Sequence, residues 1–248
     1  MWQAFAWGGL ASASIFLGQA LAKPLEHRPR ITGMVMGFGA GALLSAVAYG
    51  LVPASHFHKG DGFGLATSFV LGAVVYFVGD SLADRGGGSS RQQIAGSRRE
   101  GLEGASGMGI FLGTLLDGIP ESYILGLTLA LGGTVSVAFL VAIFTSNVPQ
   151  GIAGTLSLQA AGRSGRQVFL MWTGLTVACA LAAGLGFLVA SGMQVNGYYS
   201  EAFAAGALLT MLADAMMPEA FKNGGTWVGL LTVFGYLASA ILSVAQEG

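Results

Sequence analysis

Asp117-Gly118-Ile119-Pro120-Glu121-Ser122 lies inside the apolar run from Met108 to Ala130, which is long enough to cross a bilayer. Two acids and a proline are poor choices for such a run. A carboxylate near mid-bilayer costs roughly 2.5–3.5 kcal/mol even on lenient insertion scales. Asp117 and Glu121 are four apart and so share one helix face. Pro120 has no backbone N–H to donate, and its ring crowds the Leu116 carbonyl, which is freed beside the two acids. Hard oxygens converging at membrane depth describe a cation site. The competing reading is a proline kink whose acids face other helices and pair with Arg or backbone donors. Against it, every Lys and Arg lies outside the apolar runs.

Composition agrees with a membrane chain. Of 248 residues, 53% are hydrophobic and 9% charged, against about 25% charged in soluble domains. Mean hydropathy is +0.68. The 41 glycines suit close helix packing in lipid. The single cysteine, Cys179, excludes an internal disulfide and a cysteine-rich metal site, and it reads as a small packing residue. No basic, aromatic surface suits a nucleic acid, so none is expected as a partner.

The expected fold is all-α: one polytopic membrane domain over residues 1–248, built as an eight-transmembrane-helix bundle. The spans run roughly 3–22, 32–53, 63–80, 107–130, 135–160, 167–190, 200–221 and 226–244. The runs are continuous rather than alternating, which argues against a barrel. Ala20-Leu21-Ala22 resembles a signal-peptide cleavage site, but basic charge follows the first run instead of preceding it, so a retained helix is expected. With the N-terminus outside, every Lys and Arg except Lys59 falls on the inner side, which sets an N-out, C-out orientation. Residues 81–106 read as a flexible cytoplasmic loop rich in Gly, Ser and Arg. Gly33, Gly37 and Gly41 put small residues on one face of span two. That face serves an internal helix contact or a homodimer.

Span five repeats the span-four pattern as Ser146-Asn147-Val148-Pro149-Gln150-Gly151. Aligning the prolines sets Ser146, Asn147 and Gln150 opposite Asp117, Gly118 and Glu121. Two such helices suggest a shared site near the midplane. Asn147 and Gln150 serve either as ligands or as interhelical hydrogen-bond glue. In span seven, Asp214 is deep enough to face a pathway, while Glu219 near the inner end acts as a relay, caps, or pairs with Lys222. His56 and His58 lie at the outer end of span two, where with Glu201 they form an entrance that collects metal, or are surface residues.

This order of motifs resembles the ZIP family of divalent-metal transporters. The resemblance covers nearly the whole chain: eight spans, a long inner loop after span three, Pro-Glu and Pro-Gln in spans four and five, Pro53 ending span two and Met217-Pro218-Glu219-Ala220 ending span seven. It implies a metal centre, often binuclear, between spans four and five. There the family reads His-Asn-x-Pro-Glu-Gly in span four, and in span five His, Gln or Glu, then Asn or Asp, then x-Pro-Glu-Gly. Here Asp117 stands for the first histidine and Gly118 for the asparagine, with Pro120 and Glu121 kept and Ser122 for the glycine. Ser146 takes the first position of span five; Asn147, Pro149 and Gly151 are kept, and Gln150 replaces the glutamate. The acid the family often adds in span six is missing between Gln167 and Ala190.

Those departures remove both central imidazoles and one carboxylate. One strong ion is expected rather than two, held by Asp117 and Glu121 with help from Asn147, Gln150 and freed carbonyls. Losing imidazole weakens the preference for zinc. The expected function is transport of a divalent metal cation, zinc or a broader set such as manganese, iron and cadmium. The ion is substrate, and no prosthetic group is expected. The alternative is a transport-inactive scaffold or metal sensor that keeps the fold. An enzyme is not expected: the Gly-x-Gly-Asp context of intramembrane aspartyl proteases is missing around Asp80. Small size and short loops point to a bacterial inner (plasma) membrane.

Overall fold

The computed structural model describes residues 1–51, 62–85, 107–132, 136–192 and 197–247. His56 and His58 lie outside them, as does most of the expected 81–106 loop. All regular structure in the described residues is helical. Helix α1 is Trp2–Leu25, α2 Pro29–Ala46, α3 Gly62–Arg85, α4 Gly107–Gly132, α5 Val137–Ala160, α6 Gly165–Gly192, α7 Tyr198–Met211, α8 Met217–Gly224 and α9 Trp227–Glu247. Two π-helical turns, Val47–Leu51 and Leu212–Met216, extend α2 and join α7 to α8. Seven of the resulting rods are long and apolar enough to cross a membrane. The chain is an integral, multi-pass membrane bundle. The long helix left out of the seven is α4, whose 26 residues carry Asp117, Pro120 and Glu121.

The expected proline breaks take another form. Pro120 sits within α4 and Pro149 within α5, yet both helices run on without interruption. The irregular turns instead come ahead of Pro53 and Pro218. Pro218 cannot donate to the Asp214 carbonyl, and the chain widens there, with the Met217 N–H bonding the Leu212 carbonyl.

Helices pair most extensively as α4 with α6, α2 with α9, α1 with α5 and α3 with α7. α1, α4, α5 and α6 form one group; α2, α3, α7, α8 and α9 form the other. The groups meet mainly where α2 crosses α5, and less extensively where α4 touches α7 and α3 and α9 touches α5. Glycine closes the pairings. A Cβ on Gly126 of α4 would lie 1.8 Å from the Ala183 carbonyl oxygen, and one on Gly41 would lie 1.9 Å from that of Thr232. Gly33, Gly37 and Gly41 meet Gly224, Val228 and Thr232 in turn, so this stripe is an internal contact with α8 and α9. The first group is also tied by Trp172, fully buried, whose indole N–H donates to Thr155 at 3.0 Å. Outward faces are apolar, as at Val70, Val74 and Phe77 of α3 and Leu181, Leu185 and Leu188 of α6.

Candidate metal-translocation site

α4 brings its two acids to the middle of the bundle, where they meet different surroundings. Asp117 and Glu121 are both buried, at 6% and 1% exposure. Asp117 accepts a hydrogen bond from the Tyr76 hydroxyl, and that bond crosses from α3 of one helix group to α4 of the other. Asp117 also lines a cavity of about 20 Å³, shared with Thr114, Gln150, Met36, Met216 and Glu219. That is room for about one water-sized particle. Three oxygen-bearing side chains come from the first group (Thr114, Asp117, Gln150). Glu219 and the thioethers of Met36 and Met216 come from the second.

Glu121 does not line this cavity. Both of its carboxylate oxygens are buried and lack a hydrogen-bond partner. Ser146 of α5 is close enough to act on it. The Ser146 hydroxyl, however, donates its one proton to the Ile143 carbonyl at 2.9 Å, so none remains for the carboxylate.

The span-five residues divide in the same way. Asn147 donates from Nδ2 to the Ala11 carbonyl of α1 at 3.3 Å, which is helix glue. Gln150 lines the cavity, and its Nε2 has no hydrogen-bond partner. Asp214 is exposed on the π turn and is not among the cavity residues. Glu201 is buried in the first turn of α7, with Oε2 lacking a partner. Among the described residues, no three His, Cys, Asp or Glu side chains gather as a metal cluster.

Three cavity residues, Thr114, Met36 and Met216, give no signal in the sequence, and neither does Tyr76. Glu219 reads there only as a relay, a cap or a partner of Lys222. In the structure it is buried and lines the small cavity together with Asp117 and Gln150, while Lys222 is exposed. On the other side of Pro120 lies a much larger apolar hollow of about 550 Å³, between α3, α4, α6 and α7.

The chain is 27% identical over 203 residues to a protein of Arabidopsis thaliana named "Putative zinc transporter". The match covers 80% of this chain but 31% of that protein, so this chain spans less than a third of its relative. No family model matches the chain.

Proposed function

We propose that this chain carries divalent metal cations across a membrane, in the manner of the ZIP family, through a site that begins at Asp117. The observation that carries this is the composition of the small cavity. Two carboxylates, an amide and a hydroxyl converge in a water-sized space inside an apolar bundle. The two helix groups each supply some of the set. Relative movement of the groups would take the site apart, as alternating access at a midplane site requires. The likeness to a plant protein named as a zinc transporter supports the same reading.

In this reading eight rods span the bilayer N-out and C-out, in a bacterial inner membrane. His56, His58 and Glu201 collect the ion outside, and Asp214 relays it toward the inner side. Asp117, Gln150, Thr114 and Glu219 replace its water, and Glu121 contributes from the next turn of α4. Ser146 and Asn147 shape the site from α5. The cavity mixes hard oxygen with two thioethers, which suits a broad range around zinc rather than a single ion.

Uptake into proteoliposomes tests this. Wild type should accumulate zinc or cadmium, and Asp117→Ala and Glu121→Ala should not. Equal uptake by all three would reject the site. A second reading, a transport-inactive scaffold or sensor, is motivated by the ligands missing from the family's motif, with Asp117, Ser146 and Gln150 standing at the positions of two imidazoles and a carboxylate. Calorimetry in detergent separates the two readings. Absence of divalent binding at neutral pH favours the scaffold.

A further inference from the structure

The hollow of about 550 Å³ beside Pro120 lies between the two helix groups. α4 and α6 of the first group wall one side, and α3 and α7 of the second wall the other. Val75, Ile119 and Leu185 line it and are exposed, so it opens on the outside of the bundle. Among the described residues, no charged side chain lines it.

Its polarity is graded along the helices. Ser68, Tyr123, Tyr199 and Ser200 stand toward one end. There the Ser68 hydroxyl donates to the Tyr199 carbonyl at 2.7 Å and ties α3 to the first turn of α7. Tyr198 and Tyr199 open α7, and tyrosine concentrates where a bilayer meets water. The other end is deeper. Leu116, Pro120 and Ala207 make it apolar, and Tyr76 closes it with a hydroxyl that donates to Asp117. α6 follows the same levels. Cys179 fills the gap left by Gly118, where a Cβ would sit 2.9 Å from its sulfur, and Gly186 lies against Tyr123. Ala182, half-buried, lines the hollow between those two levels.

Size and grading decide what fits. From Tyr199 to Ala207 the hollow runs about 12 Å along α7. That is close to one leaflet of a hydrocarbon core ~30 Å thick. Over that length, 550 Å³ gives a cross-section of roughly 45 Å², about half that of a helix ~10 Å across. A helix of a second copy is too thick to enter, whereas extended hydrocarbon is not. Water needs several polar partners, and the deep end does not supply them.

We propose that this hollow is a lipid site, in which the acyl chains of a phospholipid enter from one leaflet between the two helix groups. The ester oxygens of the lipid lie at the hydroxyl-lined end. With no cation in the wall, the site selects for the chains rather than for an anionic headgroup. Chains seated there touch both groups and hold them in the arrangement that sets Tyr76 on Asp117. The site stands independently of the transport reading.

The test uses the purified full chain in detergent, titrated with phosphatidylcholine that carries a diazirine midway along one acyl chain. After irradiation, adducts are mapped by peptide mass spectrometry. Labelling should saturate, concentrate in residues 116–123, 182–189 and 199–207, and be competed away by unlabelled phosphatidylcholine. Ala182→Phe puts a ring into the hollow and should lower labelling there by about threefold or more, since a filled void has no contacts left to offer a chain. Labelling at Phe234 and Ile241, on the outward face of α9, should not change. Labels spread evenly over the outward faces of wild type would overturn the site, and this outcome needs no variant to fold. Unlabelled phosphatidylcholine should also raise the thermal unfolding temperature of wild type, as a ligand of the native state does. Ala182→Phe should lose most of that rise. A rise undiminished in the variant would overturn the bridging of the two groups. A wild type that labels as expected but takes up no metal would sink the transport reading alone.

Discussion

Asp117 and Glu121 stand one turn apart on the same helix, yet their surroundings are opposite. Asp117 is at a seam: a donor from α3 reaches it, and its cavity is walled by both helix groups. Glu121 lacks a hydrogen-bond partner and is buried near Ser146 of α5 and Cys179 of α6, both in its own group. Helical spacing alone makes them a pair. The packing makes one of them adjustable and the other fixed. A carboxylate at a seam can change its company when the groups move. One enclosed within a group keeps its company and travels with it.

The largest effect should be on uptake. If both acids serve the ion, Asp117→Ala and Glu121→Ala each lower the initial rate of cadmium uptake into proteoliposomes by about tenfold or more. Loss in only one variant would show that a single acid handles the ion.

Stability should separate them in sign. Glu121→Met replaces an unsatisfied buried carboxylate by an apolar chain of similar size. Such replacements are neutral or stabilising, so thermal unfolding in detergent should show a gain of about 1–3 kcal/mol. Tyr76→Phe takes a donor from buried Asp117 and should cost about 1–3 kcal/mol. A transport-dead but more stable Glu121→Met would mean that the acid is kept for the ion. If it were instead less stable, Glu121 would be a structural residue.

The axial positions of these groups are legible in the sequence, but their neighbours are not. Hydropathy marks the long helices and their approximate ends, because a bilayer demands continuous apolar length. The glycines at 33, 37 and 41 announce a close contact but not its partner, which is α9 with the end of α8. Spacing places Asp117 and Glu121 on one face without saying which helices that face divides between. Tyr76 gives no signal, since one aromatic in an apolar run looks like lipid-facing bulk. Glu219 is hidden for a geometric reason. The π turn at Leu212–Met216 adds a residue to the helix and turns everything after it by about 100°, carrying Glu219 inward while Asp214 stays exposed. Cys179 lies far from Gly118 in sequence, and no pattern within α6 ties it to that gap.

A smaller effect should appear in affinity. The Tyr76 hydroxyl and an incoming cation compete for the same carboxylate. Removing the hydroxyl should strengthen cation binding by up to about tenfold, the equivalent of one net hydrogen bond. Calorimetry on Tyr76→Phe reads this directly. Weaker binding would mean that Tyr76 orients Asp117 for the ion rather than occupying its place. In that case the seam would be pre-set, and the contrast with Glu121 would shrink.

The smallest effect should come from Asp214. It carries a full acid in the middle of the α7–α8 rod, yet it is exposed and lines neither cavity. An exposed charge acts on an ion through solvent and counter-ions, and its reach falls off within about 8 Å at physiological salt. Asp214→Asn should therefore raise the half-saturating metal concentration by less than about threefold, and the shift should fade as salt is added. The maximal rate should stay near wild type, because the groups that hold the ion are untouched. A collapse of the maximal rate on the scale of Asp117→Ala would put Asp214 in contact with the ion at some stage of the cycle. The π turn would then have to rotate during transport, bringing Asp214 in as Glu219 swings out, and the seam at Asp117 would extend along the whole α7–α8 rod.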